Sequence, residues 1–306
     1  MKARINVRVL AVAGIVSAAL IAAGCGGSGG GASDGKTAPK AEQVFRYTLS
    51  ADPEGLDPAQ AFDAATLSVL TSMFVGLYRL QGDNSEVTPY LAKSMPEVSD
   101  DGLTYTIKMR DDATWSNGDP VTADDVVFGV KHTLTPSTRA PFVKFGESIV
   151  GACEVIASGD KDALKDCGDN PTDGSLDKVG VKALDKYTVE FKLRRPVPWF
   201  NQLLTVSTFW PLPQATVKKF GAKWTDVENI VTNGPFTLES FKRGKELALK
   251  RNPDFFMADD IKLEKLIFPV VADPKTALKQ FELGKLDAGV GTTPALSLIH
   301  ISEPTR

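Results

Sequence analysis

Apolar and polar positions alternate over Val44–Leu49, which predicts a strand. Ser50–Ala59, with Pro53, Gly55 and Pro58, then breaks the pattern and predicts a loop. Leu67, Leu70, Phe74 and Leu77 recur at helical spacing, so a helix is expected from about Ala65 to Leu77. Pro89–Ser94 reads as a short helical turn and Thr104–Met109 as an alternating strand of the exposed-edge type. Trp115–Pro120 is a turn. Thr122 is placed to cap the next helix, with Asp125 three residues on and Val126, Val127, Val130 and Leu134 on its buried face. Lys186–Phe191 and Glu246–Lys250 alternate as strands, and Lys242, Arg243 and Lys245 read as a solvated hairpin turn. Pro274–Leu283 predicts a helix presenting Ala277, Leu278 and Phe281 on one side. The order of elements is that of a mixed α/β protein.

The first residues break this pattern. Lys2, Arg4 and Arg8 precede an apolar run from Val9 to Ala23, which suits the core of a signal peptide and is short for a membrane span. The run ends in Ala22-Ala23-Gly24-Cys25, which resembles the lipobox of bacterial lipoproteins, with Ala22 where leucine is usual. That resemblance implies a diacylated Cys25 as the mature N-terminus. Residues 25–43, rich in glycine and polar residues, then form a flexible tether. Two acyl chains are enough for stable retention, so the expected location is the extracytoplasmic face of the cell membrane. In an exported chain the other two cysteines, Cys153 and Cys167, are expected to pair.

The formal charge is −3, and loss of the three signal cations makes it more negative. A basic surface for nucleic acid is therefore not expected. No GxSxG, HExxH or GxxxxGK pattern occurs. His132 sits on a predicted helix and reads as a surface residue. No catalytic residue, metal site or cofactor is assigned, and an enzyme is the less favoured reading. An adhesin or inert scaffold is a third class, which would lack a closing cleft.

Four stretches carry a resemblance: LDPA at 56–59, GLTYTIKMRDDATWSNGDPVTADDVVFGVK at 102–131, TNGPFTLESFKRGKELALKRNPDFF at 232–256 and FELGKLDAG at 281–289. In this order they resemble the peptide/oligopeptide class of ABC-transporter solute-binding lipoproteins, the family 5 extracellular solute-binding proteins. The similarity runs from about Val44 to Val290. It implies a periplasmic-binding-protein-like bilobal α/β fold of the type II, peptide-binding class. The implied layout has a discontinuous large lobe at 44–65 and 186–285, an inserted subdomain at 66–185, and the start of a second lobe at 286–295, nearly all of which is missing. The terminal Leu296–Arg306 resembles a translated sequencing-library adaptor and is expected to be foreign.

The resemblance further implies that peptides or oligopeptides are held between two lobes and passed by a single copy of the protein to ABC permease subunits. Nickel chelates, haem and oligosaccharides are alternatives within the same fold. Three places on this lobe are candidates for ligand contact. Phe62, Asp63 and Ala64 form the loop after the first strand; Asp63 suits a ligand amine or the N-cap of the next helix, and the two are compatible. Asn233 and Gly234 suit ligand contact or a plain turn. Trp210, beside Phe209, suits a side-chain pocket or the core, and Trp115 suits the packing of the inserted subdomain.

Overall fold

The computed structural model describes residues 39, 43–82, 85–157, 161–167 and 174–289. Cys25, the expected signal peptide and nearly all of the expected tether, the second-lobe residues 290–295 and the tail at 296–306 lie outside these. Among the described residues no helix is long and apolar enough to cross a membrane.

Strand β1 (Val44–Arg46) leads through the predicted loop, which carries a 3-10 turn at Pro58–Gln60, into helix α1 (Ala64–Met73). Strands β2 (Tyr78–Gln81) and β3 (Glu86–Pro89) form a separate hairpin. Strands β4 (Glu97–Val98) and β5 (Thr104–Lys108) precede helix α2 (Ala123–Leu134). Short helices α3 (Ala152–Ala157) and α4 (Lys161–Leu164) follow, then β6 (Val181–Asp185) and β7 (Thr188–Lys192). Helices α5 (Phe200–Leu203) and α6 (Gln214–Phe220) lead to the hairpin β8 (Phe236–Lys242) and β9 (Glu246–Arg251). Strand β10 (Lys265–Pro269) and helix α7 (Pro274–Glu282) complete the set.

Two four-stranded sheets result. One runs β1-β10-β9-β8, with β1 parallel to β10; the other runs β4-β5-β7-β6 and is antiparallel throughout. A single apolar cluster spans both. Helix α2 starts as expected: the Thr122 amide and hydroxyl both donate to Asp125 Oδ2, each at 2.9 Å. Burial pushes the Asp125 carboxyl up from its ordinary value, and hydrogen bonds from Thr122, Trp115 and Gln214 partly offset this. Midway along α2, Gly129 admits the Trp210 carbonyl; a Cβ there would lie 2.1 Å from that oxygen. The loop from Trp210 to Leu212 thereby packs directly against α2, and the Leu212 amide donates to the Asp125 carbonyl. Cys153 and Cys167 are bonded to each other.

The structure departs from the sequence pattern in four places. Helix α1 ends at Met73 instead of Leu77, because Phe74–Leu77 is buried and the Val75 backbone is held by Asn233 from far along the chain. Pro89–Ser94 is not helical: it leaves β3 as a bent segment with a bridge from Ala92 to Met109, Tyr90 and Ala92 donate to the Leu77 carbonyl, and Arg110 donates to that of Leu91. Strand β5 is interior instead of at an edge, lying between β4 and β7. His132 is half-buried, with Nε2 2.8 Å from Oδ2 of the buried Asp57.

Candidate ligand-binding face

Parallel strands β1 and β10 run to the same edge of their sheet. Beyond them, Tyr47 and Ala288 form a parallel bridge on the open side of β1, and Thr48 N donates to the Ala288 carbonyl. Helices α1 and α7 both begin at this edge, capped by Asp63 and Asp273. Tyr47–Ser50, Ala64, Ser68, Val271 and Gly289 surround a cavity of about 160 Å³ there. In open α/β sheets ligands bind outside the carboxyl ends of the strands, which directs attention to this edge.

The loop leading into α1 is held from behind. Asp57 Oδ1 accepts from Ala59 N at 2.9 Å and its Oδ2 faces His132, while Gln60 Nε2 donates to the Thr138 carbonyl at 2.9 Å. Ala61 is buried. The chain then turns outward: Phe62 is 49% exposed, and Ala64 is exposed too. Neither the amide nor the carbonyl of Phe62, nor the amide of Ala64, has a hydrogen-bond partner among the described residues. Asp63 between them is extended, with φ −105° and ψ 157°. An extended backbone with open donors and an open acceptor can pair with another extended backbone as a strand does.

The Asp63 carboxylate is engaged as a cap. It accepts from Thr66 N at 2.8 Å and from the Thr66 hydroxyl at 2.6 Å. Partial burial raises its pKa, but the bonds from Thr66 outweigh this and hold it below the ordinary 3.8. A depressed folded-state value stabilises the fold above the unfolded-state pKa, and that contribution is lost as pH falls through the folded one. Asp63→Ala should therefore cost about 1 kcal/mol at neutral pH. The gap from wild type should narrow in acid below the ordinary Asp range; urea unfolding at the two pH values measures it.

Trp210 sits between the two roles expected of it. It is buried, its indole N–H donates to the Thr205 carbonyl at 3.1 Å, and its ring packs on Gly76. One side of it also lines a cavity of about 550 Å³ bounded by Leu67 and Thr71 of α1. Asn233 and Gly234 lie elsewhere. Asn233 is 1% exposed, and its amide donates to and accepts from the Val75 backbone, both at 3.0 Å. Gly234 donates to the Met73 carbonyl, and a Cβ on it would come within 2.5 Å of that backbone. The pair is a clamp inside the lobe instead of a surface open to ligand. Trp115 is buried and donates to Asp125.

Helix α1 thus borders three hollows. Ala64 and Ser68 face the strand ends, Leu67 and Thr71 the apolar cavity, and Thr66 a third hollow with Phe62, Gln60 and Arg139. Sequence reasoning missed Arg139, Phe142 and Phe145 on this face. The Phe142 and Phe145 rings stack at 5.5 Å, and only their spacing of three along a 3-10 turn hinted at it. Among the described residues no group of acidic, histidine or cysteine side chains could hold a metal ion.

The mixed α/β fold is periplasmic-binding-protein-like, as its likeness to solved structures shows. The chain belongs to the bacterial extracellular solute-binding proteins, family 5, whose middle region matches residues 86–301. It is 32% identical over 289 residues to the oligopeptide-binding protein OppA of Bacillus subtilis, covering 93% of this chain and 50% of that protein. It is 29% identical to the probable deoxycholate-binding periplasmic protein YgiS of Escherichia coli, over 80% of this chain and 43% of that one. Among solved structures, Listeria monocytogenes OppA bound to peptide superposes with a TM-score of 0.72 at 32% identity, over 80% of this chain and 46% of that one. The chain therefore spans about half the length of the curated relatives it matches.

Proposed function

We propose that the chain is the ligand-receiving lobe of an extracytoplasmic receptor that captures peptides and delivers them to the permease of an ABC importer. The observation that carries this reading is the free, extended backbone at Phe62–Ala64, set at the strand ends beside the starts of α1 and α7. A peptide lying against it would be gripped through its main chain. Grip of that kind is indifferent to side-chain identity, while the hollows along α1 leave room for varied side chains. Water filling unused space can re-form its hydrogen bonds around different ligands.

Closure of a second lobe over this face would exclude bulk water and present one closed shape to the permease. The lipid anchor at Cys25 would hold the receptor near its importer. In this reading the chain binds and hands over its ligand without changing it, and acts as a single copy. Relatives named for oligopeptides support the peptide class. Titration of the two-lobed protein with mixed oligopeptides should give a saturable change in tryptophan fluorescence. No response to peptides, with a response to sugars or metal chelates, would move the ligand to another class; turnover of a substrate would make it an enzyme.

A further inference from the structure

Asp57 is buried, and a carboxylate taken out of water needs compensation. Two groups supply it. Ala59 N donates to Oδ1 at 2.9 Å, and His132 Nε2 lies 2.8 Å from Oδ2. A carboxylate only accepts, so His132 is the donor. Among the described residues it is also the only ion-pair partner of Asp57. His132 stands in the last turn of α2, where the helix end favours a cation. Its ring stacks on Phe128, one turn earlier, with centroids 6.0 Å apart. Helix α2 is itself fixed, at its start by Thr122 and Asp125 and at its middle by Gly129 against the Trp210 carbonyl. The imidazole is therefore presented from a rigid support. It lines none of the three hollows beside α1.

What it holds is a stiff piece of chain. Asp57 caps the 3-10 turn Pro58–Gln60; Gln60 N donates to the Asp57 carbonyl at 3.0 Å, and the ring of Pro58 fixes its own φ. A displacement of the Asp57 carboxylate thus carries the turn with it, and the ligand-facing backbone starts two residues past the turn, at Phe62. Among the described residues, one other side-chain hydrogen bond ties this turn to the chain after α2, from Gln60 to the Thr138 carbonyl. Hydrogen bonds weaken steeply as distance and angle leave their optimum. The Phe62–Ala64 backbone can therefore pair with a ligand only where the turn sets it.

We infer that His132 is a positioning residue for the ligand: without touching peptide, it holds Asp57 and so sets the place of the Phe62–Ala64 backbone. This deepens the peptide reading and rests on it. The test is calorimetric titration of mixed oligopeptides into the two-lobed protein, at a temperature where circular dichroism shows each variant folded. His132→Leu removes the donor, and His132→Asn carries an amide too short to reach Asp57; both should bind about tenfold or more weakly, the size of one misplaced main-chain bond. His132→Gln, whose amide reaches about as far as Nε2, should bind near wild type. Asp57→Ala should weaken binding, and adding His132→Leu to it should weaken binding no further, because the pair acts as a unit. In the ligand-free protein, the Phe62 and Ala64 amide resonances should move in His132→Leu and His132→Asn and return in His132→Gln. A wild type that binds no peptide would sink the peptide reading, while these resonances would still judge the coupling. Unmoved resonances, wild-type affinity in folded His132→Leu and His132→Asn, or a glutamine variant no better than leucine would overturn the inference.

Discussion

Asn233→Ala should lower the stability of the lobe by about 4 kcal/mol, because it strands two buried backbone groups at once, each costing about 1–3 kcal/mol when left without a partner. The Asn233 side chain reaches across to Val75, accepting from its amide and donating to its carbonyl. Neither group has access to water: Asn233 and Val75 are both buried. Alanine removes both partners and leaves a void, and no neighbouring side chain substitutes for them. Asn233→Asp keeps the acceptor for the Val75 amide but sets a buried carboxylate oxygen against the Val75 carbonyl, so at neutral pH it should be at least as damaging as alanine. Urea unfolding measures both. A change of less than about 0.5 kcal/mol, the range of an ordinary surface substitution, would show that Val75 is served in some other way.

Ala64→Pro is expected to weaken peptide binding by about tenfold or more while leaving the melting temperature near that of wild type. The two halves of this expectation have separate causes. Ala64 is the first residue of α1, where proline is tolerated because the missing N–H has no partner in the helix. Asp63 before it is already extended, as a residue preceding proline prefers. The fold therefore loses little. A ligand backbone that accepts from the Ala64 amide loses one hydrogen bond and meets a ring in its place, a cost of about 1.4 kcal/mol or more, which is tenfold. Ala64→Ser, which keeps the amide, serves as the control and should bind as wild type does. Equal binding by the proline variant would remove Ala64 from the ligand contact.

Local chemistry explains which parts of this structure were legible in the sequence. The start of α2 was, because Thr122 and Asp125 are three residues apart and each serves the other's neighbourhood. Asp63 was legible as a cap for the same reason: its acceptor bonds run to Thr66. The role of Asn233 was not, since its partner Val75 lies 158 residues away and nothing near Asn233 announces it. His132 looked like a surface residue on a helix for want of its partner Asp57, 75 residues earlier. Pro89–Ser94 carries apolar residues compatible with a helical turn, yet its amides are claimed by Leu77 and its Leu91 carbonyl by Arg110. In each miss a long-range hydrogen bond decided the conformation, and periodicity carries no trace of such a bond. The candidate site divided on the same line. Phe62–Ala64 was recognisable as an interrupted loop before a helix, whereas the cavity walled by Arg79, Tyr90, Phe142 and Trp210 exists only once four distant segments meet.

Amide hydrogen exchange at Phe62 and Ala64 in the two-lobed protein tests most directly whether a peptide is held through this backbone. Addition of a saturating oligopeptide should slow exchange at both amides far more than at exposed amides of the β8–β9 turn. If peptide binds saturably and these two amides exchange as fast as before, the ligand is held elsewhere and the assignment of this face is wrong.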